Sequence, residues 1–289
     1  MKIIAHLSDV HFGRVDYATV KPLTEAITKV SPDIVVLSGD LTQRARESQF
    51  EEAKKFLDAL PKPQIVVPGN HDVPLYNVFA RFLAPLDNYR KIISEDVEQF
   101  YSDDEMAIVG VNTARSATFK NGRINEEQVE RVRGLMCDLG PTVTKIVVTH
   151  HPFDLPRQFA EGDLVGRARM AIESLAPCGV DVFLAGHYHF GHTGDTDTRY
   201  DIDGYNGLII HAGTATSTRG RGEPNSFNII RIDHPGLIVE RYTWRPDEAL
   251  FDLFSSEHFS KSADGWMRLA DETPVGRKEI PAEPPREEV

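Results

Sequence analysis

The chain has 289 residues, of which 40% are hydrophobic, 26% charged and 9% aromatic, as in ordinary globular proteins and unlike disordered or fibrous ones. Its 32 Lys and Arg residues against 44 Asp and Glu residues give a formal net charge of -12, which argues against a surface that wraps long DNA or RNA. No transmembrane segment is predicted, because no run approaches roughly 18 apolar residues, and the N-terminus lacks a signal-peptide pattern. A cytoplasmic location is therefore expected.

Short β-branched segments alternate with segments of helical periodicity through most of the chain, which predicts an α/β fold. The predicted strands are residues 2–7, 33–37, 64–67, 106–111, 145–149, 180–185, 207–211, 226–232 and 237–244. The predicted helices are residues 17–30, 47–60, 75–93, 126–139 and 167–176.

The last third of the chain has a different character. After Ala185 the predicted strands follow one another without helices, so we expect them to pair antiparallel in a second sheet that packs on the first. Residues 1–258 are predicted to form one domain. The polar, Pro-rich residues 259–289 are predicted to form either a solvated tail or an arm for a homodimer or higher homo-oligomer.

Three residues of reactive type are expected to be packed in the core and to have no catalytic or metal-binding role. Two cysteines, Cys137 and Cys178, are too few for a disulfide framework and form no C-x-x-C pair, so both are predicted to be free thiols in packed surroundings. His6 lies inside the first predicted strand between apolar neighbours, and we expect it to be a core histidine.

Residues with metal-binding or acid–base side chains follow five of the predicted strands immediately. The carboxyl ends of strands in an open α/β sheet form one rim, so these groups are expected to converge there. Each group alone is typical of a turn or a helix cap, whereas five together, three of them with a preceding glycine, predict a shared site. The groups are Asp9-Val10-His11, Gly39-Asp40, Gly69-Asn70-His71-Asp72, His150-His151-Pro152 and Gly186-His187-Tyr188-His189.

The candidate metal ligands supply imidazole nitrogen and oxygen atoms but no thiolate, a mixture that suits Mn, Fe, Zn or Co better than Ca or Mg. They are Asp9, His11, Asp40, Asn70, His150, His187 and His189. Seven ligands exceed what one transition metal takes, so two divalent ions are predicted, with Asp40 as the bridging carboxylate between them. Two ions about 3.5–4 Å apart can activate a bridging water and clamp a phosphoryl group for in-line displacement.

His71 and Asp72 remain after these ligands are assigned. His71 is adjacent to Asn70 and is predicted to lie at the mouth of the site, where its imidazole would stabilise phosphoryl charge or protonate the departing alkoxide. Asp72 is expected to orient the His71 ring and to keep it cationic.

Taken together, these motifs resemble the complete motif set of the calcineurin-like metallophosphoesterases, in order and at familiar spacing, over about residues 1–221. The resemblance implies an α+β sandwich of two packed mixed β-sheets flanked by helices. It also implies that His71 is the catalytic histidine, with Asp72 beside it. The implied metal ligands are Asp9, His11, Asp40 and His189 for the first ion and Asp40, Asn70, His150 and His187 for the second.

Within that superfamily, the Gly69-Asn70-His71-Asp72 form, the His150-His151-Pro152 step and residues 213–219 resemble the class III cyclic nucleotide phosphodiesterases and the related bacterial glycerophosphodiesterases. This resemblance implies hydrolysis of a small phosphodiester by a metal-bridging hydroxide, with 3',5'-cyclic AMP as the favoured substrate. Hydrolysis of glycerophosphodiesters or 2',3'-cyclic nucleotides, or of phosphomonoesters and phosphodiesters with broad specificity, would also fit the resemblance. The residues expected to contact the substrate are Asn70, His71, His151, His187 and Arg219.

Two different functions are less favoured. A nuclease, like the repair exonucleases of this superfamily, is disfavoured by the acidic net charge and by the absence of a DNA-capping domain. A non-catalytic scaffold that keeps the fold would show broken ligand sets, whereas every ligand position in this sequence is filled.

Overall fold

Two mixed β-sheets pack face to face, and helices cover the outer face of each sheet, in a computed structural model that describes residues 1–117, 120–219, 222–263 and 265–269. This architecture confirms the predicted class, an α/β sandwich of two packed mixed sheets flanked by helices. Most of the predicted C-terminal tail, residues 270–289, lies outside the described residues.

The described elements alternate between strand and helix up to Ala185 and are mainly strands thereafter. The strands are β1 (Lys2–Leu7), β2 (Ile34–Ser38), β3 (Gln64–Val67), β4 (Phe100–Ser102), β5 (Met106–Gly110), β6 (Thr144–Val148), β7 (Val182–Ala185), β8 (His192–Asp195), β9 (Leu208–His211), β10 (Ser226–Asp233), β11 (Gly236–Arg245), β12 (Leu250–Ser262) and β13 (Gly265–Arg268). The helices are α1 (Tyr17–Val30), α2 (Glu47–Ala59), α3 (Val78–Leu83), α4 (Asp87–Ile92), α5 (Glu126–Met136), α6 (Ala168–Leu175) and α7 (Asp197–Tyr200). None of the helices in these ranges combines the length and apolar character that a membrane crossing needs.

Each sheet combines strands from both parts of the chain. The first has the order β13-β12-β11-β10-β1-β2-β3, with β1 to β3 parallel and the other strands antiparallel. The second has the order β4-β5-β6-β7-β9-β8, with antiparallel strands at both edges. The expectation of a separate C-terminal sheet was therefore wrong. β10 is buried on both faces except near its end and pairs with β1, which joins the C-terminal meander to the N-terminal strands.

Apolar side chains fill three layers. Alternate residues of β1, β2 and β3 face those of β5, β6 and β7 between the sheets, as the period of two in a strand requires. The opposite residues of the first sheet pack against α1, α2 and α4, and those of the second against α5 and α6. This packing leaves the carboxyl ends of the parallel strands of both sheets at one rim.

The predicted helix at residues 75–93 is two short helices, α3 and α4. Pro85 lies between them, and its ring disfavours the helical conformation of the preceding residue. Ala84 accordingly has φ -148° and ψ 57°, outside the helical region. α3 and α4 are therefore separate helices.

Cys137 and Cys178 are joined in a disulfide, so the prediction of free thiols was wrong. Cys137 ends α5, and Cys178 lies in the turn that follows α6. The two helices pack side by side in the same apolar layer, which brings the two Cα atoms to 4.2 Å.

The predicted domain boundary at residue 259 falls inside β12, and the first sheet continues through Arg268. Trp266 on β13 is buried, and its Nε1 donates a hydrogen bond of 2.8 Å to Oδ1 of Asp181, just before β7. The Lys261 ammonium lies 2.6 Å from the same oxygen. Residues 259–262 and 265–268 thus belong to the first sheet, and an oligomerisation arm through residues 259–289 stays a prediction.

This attachment of β13 predicts that Trp266→Ala lowers the free energy of unfolding by about 3–5 kcal/mol, because it leaves a cavity between the sheets. Urea unfolding followed by circular dichroism measures the loss. Met267→Ala is the matched control, since Met267 is 54% exposed beside Trp266, which is 1% exposed, and should change stability by less than about 0.5 kcal/mol. Equal effects of the two substitutions would contradict the assignment of β13 to the core.

Candidate active site

The candidate metal ligands meet where the predicted rim lies, at the carboxyl ends of five parallel strands. β1, β2 and β3 contribute from the first sheet, and β6 and β7 from the second. All of them except Asn70 are buried, as is His151 beside them. The strand-end residues so assembled are Asp9, His11, Asp40, Asn70, His150, His187 and His189.

Five of these residues have a left-handed backbone conformation, which is uncommon outside glycine. A non-glycine residue in this region costs of order 1 kcal/mol or more and persists only where surrounding contacts determine it. Such strain clusters at functional sites, and here it turns each side chain back toward the rim. The values of φ are 54° for Asp9, 49° for His11, 52° for Asp40, 74° for His187 and 61° for His189.

Glycines precede several ligands because the chain approaches a neighbouring side chain too closely for a Cβ atom. A Cβ at Gly69 would lie 2.1 Å from Oδ1 of Asp40, and one at Gly39 would lie 2.4 Å from Nδ1 of His150. Gly39 also has φ 93°, a conformation that glycine adopts readily. The glycines noticed in the sequence are thus required by the approach of one strand end to another.

The first cluster has its candidate ligand atoms within 4.8 Å of one another and consists of Asp9, His11, Asp40 and His189. Oδ2 of Asp9 accepts hydrogen bonds from the Ser8 hydroxyl at 2.6 Å and the His187 backbone N–H at 3.0 Å. Oδ1 of Asp9 lies 3.1 Å from Nε2 of His189 and 3.5 Å from Nε2 of His11 without a hydrogen bond to either. Oδ1 is therefore a carboxylate oxygen directed at two imidazole nitrogens.

The second cluster surrounds Nε2 of His150. Oδ1 of Asn70 lies 3.1 Å from this nitrogen, Oδ2 of Asp40 3.3 Å and Nδ1 of His187 3.3 Å. Oδ2 of Asp40 also lies 3.8 Å from Nε2 of His11 in the first cluster. The Asp40 carboxylate thus stands between the two clusters, as a bridging ligand must.

Backbone carbonyl groups set the direction of two of the rings. Nδ1 of His150 lies 2.8 Å from the Ser38 carbonyl oxygen, and Nδ1 of His189 lies 3.2 Å from the Arg219 carbonyl oxygen. A carbonyl accepts a hydrogen bond from a protonated Nδ1, so in the neutral form of each ring Nε2 is the acceptor that faces the site. This is the usual support of a metal-binding histidine.

Opposing effects govern the protonation of the buried cluster. Burial alone would raise the pKa of Asp9, but His189 and His11 hold that pKa well below its usual range. Burial lowers the pKa of His11 to about 4, whereas for His150 the Asp40 carboxylate overcomes burial and raises the pKa to about 9. A cation that binds His150 would therefore displace a proton.

The donor set fits a pair of cations. Buried polar atoms almost always have hydrogen-bond partners, yet Oδ1 of Asp9 and Nε2 of His187 have none among the described residues. Carboxylate, amide and imidazole donors without thiolate match borderline divalent metals. The two clusters that share Asp40 would each hold one ion.

His71 lies beside the first cluster, with its ring centroid 5.0 Å from that of His11. Its Nδ1 is 3.0 Å from the Gln43 carbonyl oxygen, and its Nε2 is 2.9 Å from Nη1 of Arg219. Burial lowers the pKa of His71, and the Arg219 charge adds to this effect while Asp40 opposes it. The His71 ring is thus oriented by Gln43, and its surroundings favour the neutral imidazole.

Asp72 does not have the predicted role of orienting His71. Its carboxylate accepts hydrogen bonds from the backbone N–H groups of Leu41, Thr42 and Gly69 at 2.8–3.1 Å, and from the Thr42 hydroxyl at 2.9 Å. Burial, and then the neighbouring Asp40 charge, raise the pKa of Asp72 to about 7. The expectation that Asp72 keeps His71 cationic was wrong, because this carboxylate holds together the loops after β2 and β3 instead.

The remaining predicted substrate residues also lie at the site. Nδ1 of His151 is 2.8 Å from the Thr113 hydroxyl, and its ring centroid is 4.8 Å from those of both His150 and His187. The sequence reasoning missed Arg44, whose Nη1 lies 3.5 Å from Nδ1 of His71. Its position four residues after Asp40, in the same strand-end loop, was the available signal.

His6 lies beneath the site and is a core histidine, as expected. It is fully buried, and its Nε2 lies 2.9 Å from the hydroxyl of Ser38, the residue whose carbonyl orients His150. Burial lowers the pKa of His6 to about 3, with only partial opposition from Asp9. His6 is therefore neutral in the folded protein near pH 7.

This burial predicts a pH-dependent stability. Between pH 6.5 and about 3 the unfolded chain binds a proton at His6 that the folded chain does not, so His6 lowers the free energy of unfolding by about 1.4 kcal/mol for each pH unit of acidification. His6→Gln should remove this part of the slope. Urea unfolding of the metal-free protein between pH 7 and pH 5 measures it, and identical slopes for wild type and variant would contradict the prediction.

A two-sheet sandwich with carboxylate, amide and imidazole side chains gathered at its strand ends defines the class of metal-dependent phosphoester hydrolases. The calcineurin-like phosphoesterase family model matches residues 3–191, and the chain belongs to this family.

Comparisons with individual proteins agree with this family. A glycerophosphodiester phosphodiesterase, GpdQ, from Enterobacter lignolyticus is 26% identical over 206 residues, which cover 65% of this chain and 70% of that protein. A probable cyclic nucleotide phosphodiesterase from Ruthia magnifica is 21% identical over 155 residues, 50% of this chain and 59% of that protein.

Solved structures share the fold at low sequence identity. A dimetal phosphatase from Danio rerio has a TM-score of 0.60 and 14% identity, with 83% of this chain and 95% of that chain covered. A purple acid phosphatase from yellow lupin seeds has a TM-score of 0.67 and 13% identity, with 96% and 57% covered. At these identities the likeness shows the two-sheet fold alone.

Proposed function

We propose that this hydrolase cleaves small phosphodiesters with two divalent metal ions bound at the rim. The observation that carries the proposal is the Asp40 carboxylate, whose Oδ2 faces ring nitrogens of both clusters at 3.8 and 3.3 Å. The first ion would be held by Asp9, His11, Asp40 and His189, and the second by Asp40, Asn70, His150 and His187.

Bound divalent ions would lower the pKa of a water molecule between them and neutralise charge on the phosphoryl oxygens. Mn, Fe, Zn and Co all suit the donor set. The local positive charge would explain how a chain with a net charge of -12 binds a small anion.

The side chains around the two clusters would donate a proton, supply positive charge and contact the phosphoryl group. Gln43 fixes the His71 ring, and the negative charge of a bound phosphodiester would raise the pKa of this imidazole toward the range of a general acid. The Arg219 guanidinium, at 2.9 Å from His71, adds a fixed positive charge on that side. On the side of the second cluster, the phosphoryl group would contact Asn70, His151 and His187.

The substrate within this class is the finer part of the proposal. We favour 3',5'-cyclic AMP, with support from the relatives named as probable cyclic nucleotide phosphodiesterases. The relative named as a glycerophosphodiester phosphodiesterase supports glycerophosphodiesters as rival substrates. Hydrolysis of 2',3'-cyclic nucleotides, and of monoesters and diesters with broad specificity, is also compatible with this site. A cytoplasmic location and a homo-oligomer through residues 259–289 stay predictions.

The ligand assignment predicts that His189→Ala lowers the metal content from about two equivalents to about one and lowers kcat/KM by roughly 100-fold or more. Elemental analysis of the purified protein and hydrolysis of bis(4-nitrophenyl) phosphate measure both quantities. The exposed His258 offers the control His258→Ala, which should change neither. Full activity of His189→Ala would refute the assignment.

His71→Gln separates metal binding from proton transfer. This variant should keep both metal equivalents while kcat falls by roughly 10²–10⁴-fold, because only the imidazole is removed. A loss of metal from His71→Gln would show that the histidine is a ligand and would overturn its proposed role.

The proposed substrate predicts an order of kcat/KM in a panel of phosphate esters, measured with the same metal at the same concentration. 3',5'-cyclic AMP should exceed glycerophosphoethanolamine, 2',3'-cyclic AMP and 4-nitrophenyl phosphate by at least about tenfold, a transition-state difference of about 1.4 kcal/mol. Chromatographic product analysis measures the rates. Turnover of the other diesters without turnover of 3',5'-cyclic AMP would reject the favoured substrate and retain the phosphodiesterase.

A further inference from the structure

The short helix α3 exposes its apolar side chains and buries its charged one. Phe79 and Leu83 are each 81% exposed, Val78 is 62% exposed and Phe82 is 56% exposed, whereas Arg81 is 3% exposed. Apolar positions in a surface helix normally face the core. We call Tyr76 together with these four exposed residues of α3 the apolar mouth patch.

Hydrogen bonds fix this orientation. Nε of Arg81 donates to the Ser116 carbonyl oxygen at 2.7 Å, and Nη1 of Arg81 donates to the Pro74 carbonyl oxygen at 3.1 Å. Oδ1 of Asn77 caps the helix by accepting the Ala80 N–H at 3.0 Å. Arg81 thus ties α3 to the loops after β3 and β5, and the opposite face of the helix is directed outward.

Arg44 links the patch to His71. The Arg44 guanidinium carbon lies 5.7 Å from the centre of the Tyr76 ring, a cation–π contact, and Nη1 of Arg44 lies 3.5 Å from Nδ1 of His71. His71 in turn lies beside His11 in the first cluster. The sequence of contacts therefore runs from the metal-binding rim through His71 and Arg44 to Tyr76 and α3.

We propose that the apolar mouth patch binds an alkyl or acyl chain on the leaving alcohol of the phosphodiester substrate. The inference rests on the proposed function and concerns its acyclic diester substrates, because 3',5'-cyclic AMP carries no such chain. Hydrolysis breaks the phosphorus–oxygen bond to the leaving alcohol and forms one to the oxygen of water, and the alcohol departs with a proton. The His71 ring lies beside the first cluster, and Arg44 and Tyr76 lie between His71 and α3. An alcohol that departs on the His71 side would therefore extend its chain past Arg44 toward α3.

The dimensions of the patch favour a chain over a protein partner. Six helical residues span about 9 Å, which is the length of a medium alkyl chain. Five side chains are few against the roughly 20–30 residues per side of a stable protein interface. Arg44 between the patch and the site also supplies a positive charge where the phosphate of such a molecule would lie.

Hydrolysis of methyl n-alkyl phosphates with alkyl chains of two to ten carbons tests the proposal, because either ester bond can break. ³¹P NMR identifies the product. The longer chains should give methyl phosphate and the alkanol, and kcat/KM should rise by about twofold to fourfold for each methylene that contacts the patch. Alkyl phosphate and methanol as the main products would place the chain on the other side and overturn the proposal.

The variant Phe79→Ser/Leu83→Ser should abolish most of this rise and leave the rate for the methyl ethyl ester unchanged. Leu253→Ser is the matched control, since Leu253 is 41% exposed on β12, remote in the chain from the rim, and should keep the chain-length dependence. A dependence that survives in the double variant would overturn the proposal.

Two measurements distinguish other occupants and a failure of the proposed function. Sedimentation measures dimerisation, and flotation with phosphatidylglycerol vesicles measures membrane binding. The proposal would be overturned if the double variant lost either property but kept its chain-length dependence. If no diester were hydrolysed at matched metal, the proposed function would fail. Calorimetric binding of decylphosphonate against methylphosphonate would still test the patch, and equal affinities would refute it.

Discussion

The Asp40 carboxylate is the group on which the rest of the site depends. Its Oδ2 faces His11 on one side and His150 on the other, while its Oδ1 accepts the His71 backbone N–H at 2.8 Å. One side chain thereby fixes the separation of the two clusters and the position of His71. The first sheet supplies Asp40, and the second supplies His150, so the packing of the two sheets sets the geometry of the chemistry.

The packing of the β-sandwich offsets the unfavourable free energy of this arrangement. Buried carboxylates and imidazoles are unfavourable without partners, and five of the candidate ligands have strained left-handed backbones. The apolar layers between the sheets and under the helices provide the compensating stability. Beneath the rim, Ser38 contacts His6 through its hydroxyl and His150 through its carbonyl, so the core and the ligand shell share a residue.

The sequence predicted the elements whose signal is local. Strands such as β1 and β3 and the helix α1 match their predicted bounds, because periodicity and caps are encoded within each segment. The five strand-end groups also converge as predicted, since parallel strands share one rim. The pairing of β10 with β1 depends on contacts across more than 200 residues, and no local pattern encodes it.

The same distinction applies to the side chains of the site. Asp72 is adjacent to His71 in sequence, but its side chain is directed away from the His71 ring and lies against Leu41 and Thr42. Arg219 is distant in sequence yet serves two neighbours, because its carbonyl oxygen orients His189 and its guanidinium holds His71. A displacement of this one loop would move both rings, so under the proposed function metal affinity and proton transfer would change together.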